Sequence, residues 1–370
     1  MAEVDLAALR KNVDVLAATV GPGVGILAVV KADAYGHGAL AVARALERKV
    51  WGFAVSLVEE GVELRRGGIA APIVVLGSFY GYSHRDVIAF GLTPVVADEG
   101  DVEKFARAAD EMSSGRVGVH LKVDTGMSRL GVRLEKLDDM LARLRATPAV
   151  ELTGLCSHLA SADVDDATPS MEQLARFDEA RRRVAAAGFV VPLMHVANSA
   201  ATRRFGDARF DLIRPGLALY GYSSSSAAAY TGLLPAMALK SRIVALRDVP
   251  AGERVSYGGL WSATSPARIA TVPIGYADGY TRRMTGKAEV LVGGRRCAVA
   301  GAITMDMSMI DVSAPELRGA KLGDEVVLLG AQAGASIDAD ELADWAGTIT
   351  WEIFCGISKR VPRVYVGERW

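Results

Sequence analysis

The chain has 370 residues, with 42 Lys+Arg against 43 Asp+Glu and a formal net charge of −1. That balance argues against a nucleic-acid groove or an anionic membrane surface as the main partner, because either needs a clustered basic excess. Hydrophobic residues make up 51% of the sequence, enough for a large core and against disorder. The length calls for two domains, or for one barrel with an attachment.

In chain order, helical spacing predicts a first helix over Leu6–Val20. Eight short apolar runs follow: Ile26–Lys31, Gly52–Val55, Ile73–Leu76, Pro94–Ala97, Val117–Val123, Thr153–His158, Met194–Ala197 and Leu212–Arg214. Several lack polar alternation, as strands buried on both faces do. Stretches between them carry helical spacing, such as Leu137, Met140, Leu141 and Leu144, or Leu174, Phe177, Ala180 and Val184. Eight alternations of strand and helix predict an α/β fold of the (β/α)8 TIM-barrel type over residues 1–235, ahead of a doubly wound sheet.

After Tyr220 the pattern changes. Ser223–Ala229 reads as an exposed low-complexity loop. Short β-type runs then dominate: Arg242–Arg247, Arg268–Pro273, Ala288–Val292, Arg296–Val299, Met307–Val312 and Glu325–Leu329. One late helix is predicted, with Asp338 as N-cap and Glu341 three residues on. A second, mainly β domain is therefore expected over residues 236–370.

Barrel active sites form at the strand C-termini. Those ends carry Lys31, Lys122 with Asp124 and Arg129, Ser157-His158, Asn198-Ser199 and Arg214-Pro215-Gly216. Two lysines, two arginines, a histidine and a small-residue anion cradle thus share one rim, and no carboxylate pair marks a glycosidase. Each has an ordinary structural reading as well. Lys31 reads as a solvated rim charge, although the Leu27-Ala28-Val29-Val30 run before it favours the desolvation that frees a lysine amine for Schiff-base chemistry. Lys122 reads as a salt-bridge partner of Asp124, and Arg129 as a surface residue. His158 reads as a structural histidine and Asn198-Ser199 as a helix cap. There is no G-x-S-x-G, Walker A loop or H-E-x-x-H, and His37, His84, His120, His158 and His195 have no metal-ligand spacing. No apolar window approaches the ~18 residues of a membrane span. Met1 leads into Ala2-Glu3-Val4-Asp5 without a secretory pattern. Cys156, Cys297 and Cys355 fit no disulfide framework, so a cytoplasmic location is expected.

Ala28-Val29-Val30-Lys31-Ala32-Asp33-Ala34-Tyr35-Gly36-His37-Gly38 closely resembles the pyridoxal-phosphate lysine motif of the alanine racemases. Further blocks follow in the family's order: His120–Gly131, His195–Ala200, Ile213–Gly221, Val255–Gly258, Ile274–Tyr280, Ile303–Asp306 and Arg360–Arg363. The resemblance covers essentially the whole chain. It implies a fold type III amino-acid racemase, working as a head-to-tail homodimer, with a barrel that carries pyridoxal 5'-phosphate and a β domain that completes the partner's site. Lys31 would bind the cofactor and act as one proton-transfer base, with Tyr257 of the other subunit as the opposing base. Arg214 would face the pyridine nitrogen, which an arginine cannot protonate; that limits electron withdrawal and with it decarboxylation or transamination. His158 would link Arg214 toward Tyr257. Tyr35, Ser199 and Gly216 would hold the phosphate. Arg129 would reach the substrate carboxylate, Met305 would offer it a backbone N–H, and Tyr276 would narrow the entrance. Lys122 would orient Arg129 as a carbamate, since two bare cations would repel. Lys359 stands where some members have an aromatic residue and receives no role.

The implied activity is interconversion of L- and D-alanine, supplying D-alanine for peptidoglycan. A broader racemase acting on serine or basic amino acids is the near alternative. A pyridoxal-phosphate decarboxylase would prefer an acidic partner for the ring nitrogen. A non-catalytic carrier would not need the second domain.

Overall fold

The structure, a computed structural model, describes residues 1–77, 79–81 and 83–367. Two compact units divide the chain. One holds Ala8–Ala34 and Ala39–Leu234; the other holds Met1–Ala7, Tyr35–Gly38 and the chain from Pro235 onward.

In the first unit, parallel strands follow one another in the order Leu212–Ile213, Gly25–Val29, Gly52–Val55, Ile73–Val75, Thr93–Val96, Val117–Asp124, Val150–Cys156 and Leu193–His195. The result is a nearly closed eight-stranded parallel barrel. Single bonds bridge the last gap: Asp211 N donates to Met194 O at 3.1 Å and Arg214 N to Ala197 O at 2.8 Å. The strands are buried along their length, with Phe53, Ala54, Val55, Val74 and Val75 fully inaccessible. That is why they read as unbroken apolar runs rather than alternating ones. The eight predicted runs fall on these eight strands. The first is shorter than expected, since pairing stops at Val29 and the chain turns before Lys31. The sixth stops at Cys156, short of His158.

The second unit is mainly β. Its principal sheet runs Arg295–Ala298, Glu289–Val292, Glu325–Gln332, Met237–Arg242, Ala2–Asp5 and Arg363–Val366. A three-stranded sheet pairs Ala245–Val249, Ala267–Val272 and Ser308–Asp311. Val249, Ala263, Ile269 and Ala300 pack as one apolar cluster in this region. The expected single strand Arg242–Arg247 is instead the end of one strand and the start of another, in different sheets. Ile243 is buried at the junction, where its N–H donates to Asp324 O at 3.0 Å. Burial there follows from a change of sheet, which an apolar run cannot reveal. The late helix forms as expected, Ala339–Ala346, with Asp338 accepting from Glu341 N at 2.8 Å. Ser223–Ala229 is less exposed than expected: Ser226–Ala228 makes a 3-10 turn and Ala228 is buried. No helix among the described residues is long and apolar enough to cross a membrane.

Candidate active site

The barrel's first strand delivers Lys31 to the rim on an unusual turn. Ala32, Asp33, Ala34 and Tyr35 all have φ between 52° and 54°, a left-handed helical turn built without glycine. Each such residue costs about 1–2 kcal/mol, so the surroundings must impose the shape. Beside this turn runs the chain after the last strand. Val29 N donates to Pro215 O at 3.0 Å, and Tyr220 Oη donates to Val29 O at 2.8 Å.

Arg214 is the buried centre of the rim, 5% exposed. Nη1 contacts His195 Nδ1 at 2.8 Å and donates to His195 O at 2.6 Å. Nη2 donates to Ser157 O at 2.7 Å and Val196 O at 3.0 Å, and meets His158 Nδ1 at 3.1 Å. A guanidinium only donates, so both Nδ1 atoms must be bare acceptors. His195 then carries its hydrogen on Nε2, which lies 2.8 Å from His120 Nδ1. Burial, with Arg214 close by, holds all three imidazoles below the ordinary histidine range, His120 to about 4. They are neutral, as the bond directions require.

Strand architecture makes this relay possible. His120 and His195 sit on strands flanking Val150–Cys156, and Gly154 is paired with His120. A Cβ at Gly154 would lie 2.3 Å from His120 Cδ2. The missing side chain lets the rings meet. From sequence, His120 and His195 were histidines without metal spacing and the first residues of two resemblance blocks, with no role for either; the usable signal was a glycine in mid-strand opposite a histidine.

Lys122 does not pair with Asp124 among the described residues. Asp124 Oδ1 instead accepts from the amides of Gly126, Met127 and Ser128, each at 3.0 Å. Burial works against the charged Asp124 carboxylate, but these amides outweigh it and hold its pKa below the usual value. Asp124 thereby fixes the loop that carries Arg129, whose side chain is exposed. Burial lowers the Lys122 pKa, and Arg214 and Arg129 push the same way. Gln173, a residue missed from sequence, ties two rim loops together. Its Nε2 donates to Thr125 Oγ1 at 3.2 Å and His158 O at 3.0 Å, while its Oε1 accepts from Ala160 N at 2.8 Å.

The rim suits a ligand with an aromatic nitrogen and an anion. All of the guanidinium's hydrogen bonds among the described residues use its terminal nitrogens, which leaves Nε–H for a ring nitrogen. Gly216 N and Ala218 N donate to Ser199 Oγ at 3.0 and 3.2 Å, so the hydroxyl hydrogen is left to donate to an anion. Asn198 caps the short helix Ser199–Arg204, accepting from Ala201 N at 2.9 Å. No group of His, Cys, Asp or Glu among the described residues is arranged to hold a metal ion.

The remaining candidates lie in the second unit. Tyr35 is buried, and burial raises its phenol pKa. Arg363, which ends the last resemblance block but was given no role from sequence, binds the segment after Tyr35 through Nε to Gly36 O at 3.0 Å. Its other nitrogens reach Ile357 O at 2.6 Å, Ser358 O at 2.5 Å and Val361 O at 2.7 Å. Tyr257, Tyr276 and Met305 are exposed by 69, 41 and 51%. Their loops share one backbone hub at residues 302–306. Ser256 Oγ donates to Ala302 O at 2.7 Å, Tyr276 N to Thr304 O and Ala277 N to Met305 O, both at 3.0 Å. Arg360 bridges Asp306 at 2.7 Å and Asp278 at 3.3 Å. Gly275 is required there, since a Cβ would stand 2.2 Å from Thr304 O. Lys359 is exposed.

Comparison with known proteins gives consistent matches. The family model described as alanine racemase, N-terminal domain, matches residues 4–224, and that of the C-terminal domain matches residues 236–365. The alanine racemase of Sorangium cellulosum is 46% identical over 374 aligned residues, covering 98% of both chains. That of Geobacter sulfurreducens is 44% identical, covering 99% of this chain and 97% of its own. The crystal structure of alanine racemase from D-cycloserine-producing Streptomyces lavendulae superposes with a TM-score of 0.94 at 35% identity, covering 100% of this chain and 97% of that one. The Bacillus anthracis alanine racemase with bound L-Ala-P gives 0.92 at 36% identity, covering 99 and 95%.

Proposed function

The chain belongs to the alanine racemase family, pyridoxal 5'-phosphate-dependent isomerases, and from that premise we propose how its residues interconvert L- and D-alanine. When bound, pyridoxal 5'-phosphate holds the substrate amine and weakens the Cα–H bond. Lys31 anchors the cofactor and exchanges a proton on one face of Cα. Tyr257 of a second copy does so on the other, because inversion needs one acid/base group per face. Arg214 faces the ring nitrogen and withholds a proton from it; the neutral acceptors His195 and His158 keep the guanidinium in place. Ser199, Gly216 and Tyr35 hold the phosphate. Arg129 and the Met305 N–H receive the substrate carboxylate, and Tyr276 narrows the entrance.

Lys122 is proposed to carry a carbamate. The ammonium would first lose one proton, as burial, Arg214 and Arg129 favour, and the neutral amine would then attack carbon dioxide and release a second, leaving a carbamate anion in place of the cation. Intact-protein mass of the active enzyme should show one added carbon dioxide, and a bare amine would overturn this.

The observation that carries the reading is Arg214, a buried cation whose side-chain bonds among the described residues all lie on its terminal nitrogens. The exposed Tyr257, Tyr276 and Met305 support a homodimer with shared sites. A cytoplasmic enzyme that supplies D-alanine for peptidoglycan, without nucleic-acid or membrane partners, fits the balanced charge. No observation favours serine or basic amino acids over alanine.

The test is incubation with L-alanine in deuterated water, following optical rotation, Cα–H exchange and carbon dioxide together. Racemisation with exchange and no carbon dioxide is expected. Carbon dioxide release, or no exchange, would sink the proposal. Lys31→Ala should abolish the visible absorbance of the lysine-bound cofactor. Tyr257→Phe should slow exchange from L-alanine and leave that absorbance intact.

A further inference from the structure

We infer that Glu60 is a positioning residue for Lys31, its carboxylate standing in for the next rung between the first two barrel strands. This rests on the reading of Lys31 as the cofactor lysine.

The ladder between Gly25–Val29 and Gly52–Val55 extends to Val30 N, which donates to Ala54 O at 2.9 Å. Two residues further along each chain, the amides no longer face each other's carbonyls. Ala32 N donates to Glu60 Oε1 at 2.6 Å, and Ser56 N donates to Glu60 Oε2 at 2.7 Å. One carboxylate therefore joins the two separating chains at the point where the left-handed turn begins.

An ordinary reading makes Glu60 the N3 residue of the helix Val58–Arg66, reaching back to the Leu57 amide. That bond exists, at 3.0 Å on Oε2. Leu57 has no side-chain acceptor, so the cap is one-sided. Capping alone does not explain Oε1, which is turned away from the helix to Ala32. Two further bonds shape the turn: Ala34 N donates to Val30 O at 2.8 Å and Ala39 N to Asp33 Oδ1 at 2.7 Å. Of these three, only the bond to Glu60 ties the residue next to Lys31 to a different strand's loop. Without it, nothing in this set resists relaxation of Ala32 toward the ordinary φ < 0 region, which would swing the neighbouring Lys31 amine.

The chemistry sets the test. Glu60→Gln keeps the size but places N–H donors opposite amide donors. Glu60→Asp keeps the charge and still caps its helix, but is one methylene too short to span both loops. Both holoenzymes should lose about 10- to 100-fold in kcat, the scale of a misplaced catalytic group. The pH midpoint of the lysine-bound cofactor absorbance should move, and Glu60→Asp should recover melting temperature without recovering kcat. Asp98→Ala removes the cap of the helix Glu99–Met112, where Asp98 accepts from Asp101 N at 3.0 Å. It should lower melting temperature with kcat and absorbance unchanged. If Glu60→Gln does not fold, Glu60→Asp decides. Parental kcat and absorbance midpoint in Glu60→Asp would overturn the inference. Lys31→Ala is measured alongside: activity retained there would instead overturn the reading of Lys31.

Discussion

Arg214 Nη1 lies 2.8 Å from His195 Nδ1, and because the guanidinium can only donate, this contact fixes the histidine's tautomer. Arg214→Lys should test how much that geometry matters. A single ammonium cannot span His195 and His158 together or present a separate Nε–H. Racemisation should fall about a hundredfold, the scale of a lost preorganised donor. Steady-state rates in both directions check this, and a rate within two- or threefold of the parent would contradict it.

The three neutral imidazoles predict an acid limit to stability. Burial depresses His120, His158 and His195 in the folded protein, His120 to about 4, whereas unfolded histidines titrate near about 6.5. Below that value the unfolded chain binds more protons than the folded one, so stability falls as pH falls. Urea midpoints should therefore decline between about pH 6.5 and 5, above the range where most carboxylates titrate. A flat profile in that window would mean that the histidines are not held neutral.

Gly275→Ala should damage substrate binding through Met305. The added Cβ would stand 2.2 Å from Thr304 O and 2.5 Å from Met305 O, both backbone atoms. Overpacking of this kind costs about 1–3 kcal/mol, and the Met305 loop must shift. KM for alanine should rise and melting temperature drop. Gly319→Ala, with nothing within 4 Å of its Cβ, is the matched control and should change neither.

Mixing two impaired variants tests the shared site. In a Lys31→Ala with Tyr257→Phe heterodimer, one site collects both lesions and the other none. Random reassortment should restore about a quarter of parental activity. No recovery after verified subunit exchange would place both bases in one chain.

Much of the barrel was legible because its strands are buried on both faces, which leaves unbroken apolar runs such as Gly52–Val55. The cations Lys31, Lys122, Arg129 and Arg214 were legible because strand ends are where barrel chemistry gathers. Arg363, Gln173 and Glu60 were not, since each acts on backbone carbonyls or amides of distant loops, and a long polar side chain leaves no periodic trace. The ordinary alternative for Lys122, a salt bridge to Asp124, is not what the Asp124 Oδ1 atom is used for. Three amides of the following turn already fill that carboxylate oxygen.

On the ribosome Ala2–Asp5 is made long before Arg363–Val366, yet the two are hydrogen-bonded parallel neighbours. The barrel strands can pair as they emerge, but Ala2–Asp5 must wait for Arg363–Val366 before both of its edges are covered. Its other neighbour, Met237–Arg242, also arrives late. During that interval its unpaired edges are exposed to other chains. The alternation of Ala2 and Val4 with Glu3 and Asp5 suits such a wait, because two carboxylates along four residues repel a like strand and discourage premature pairing.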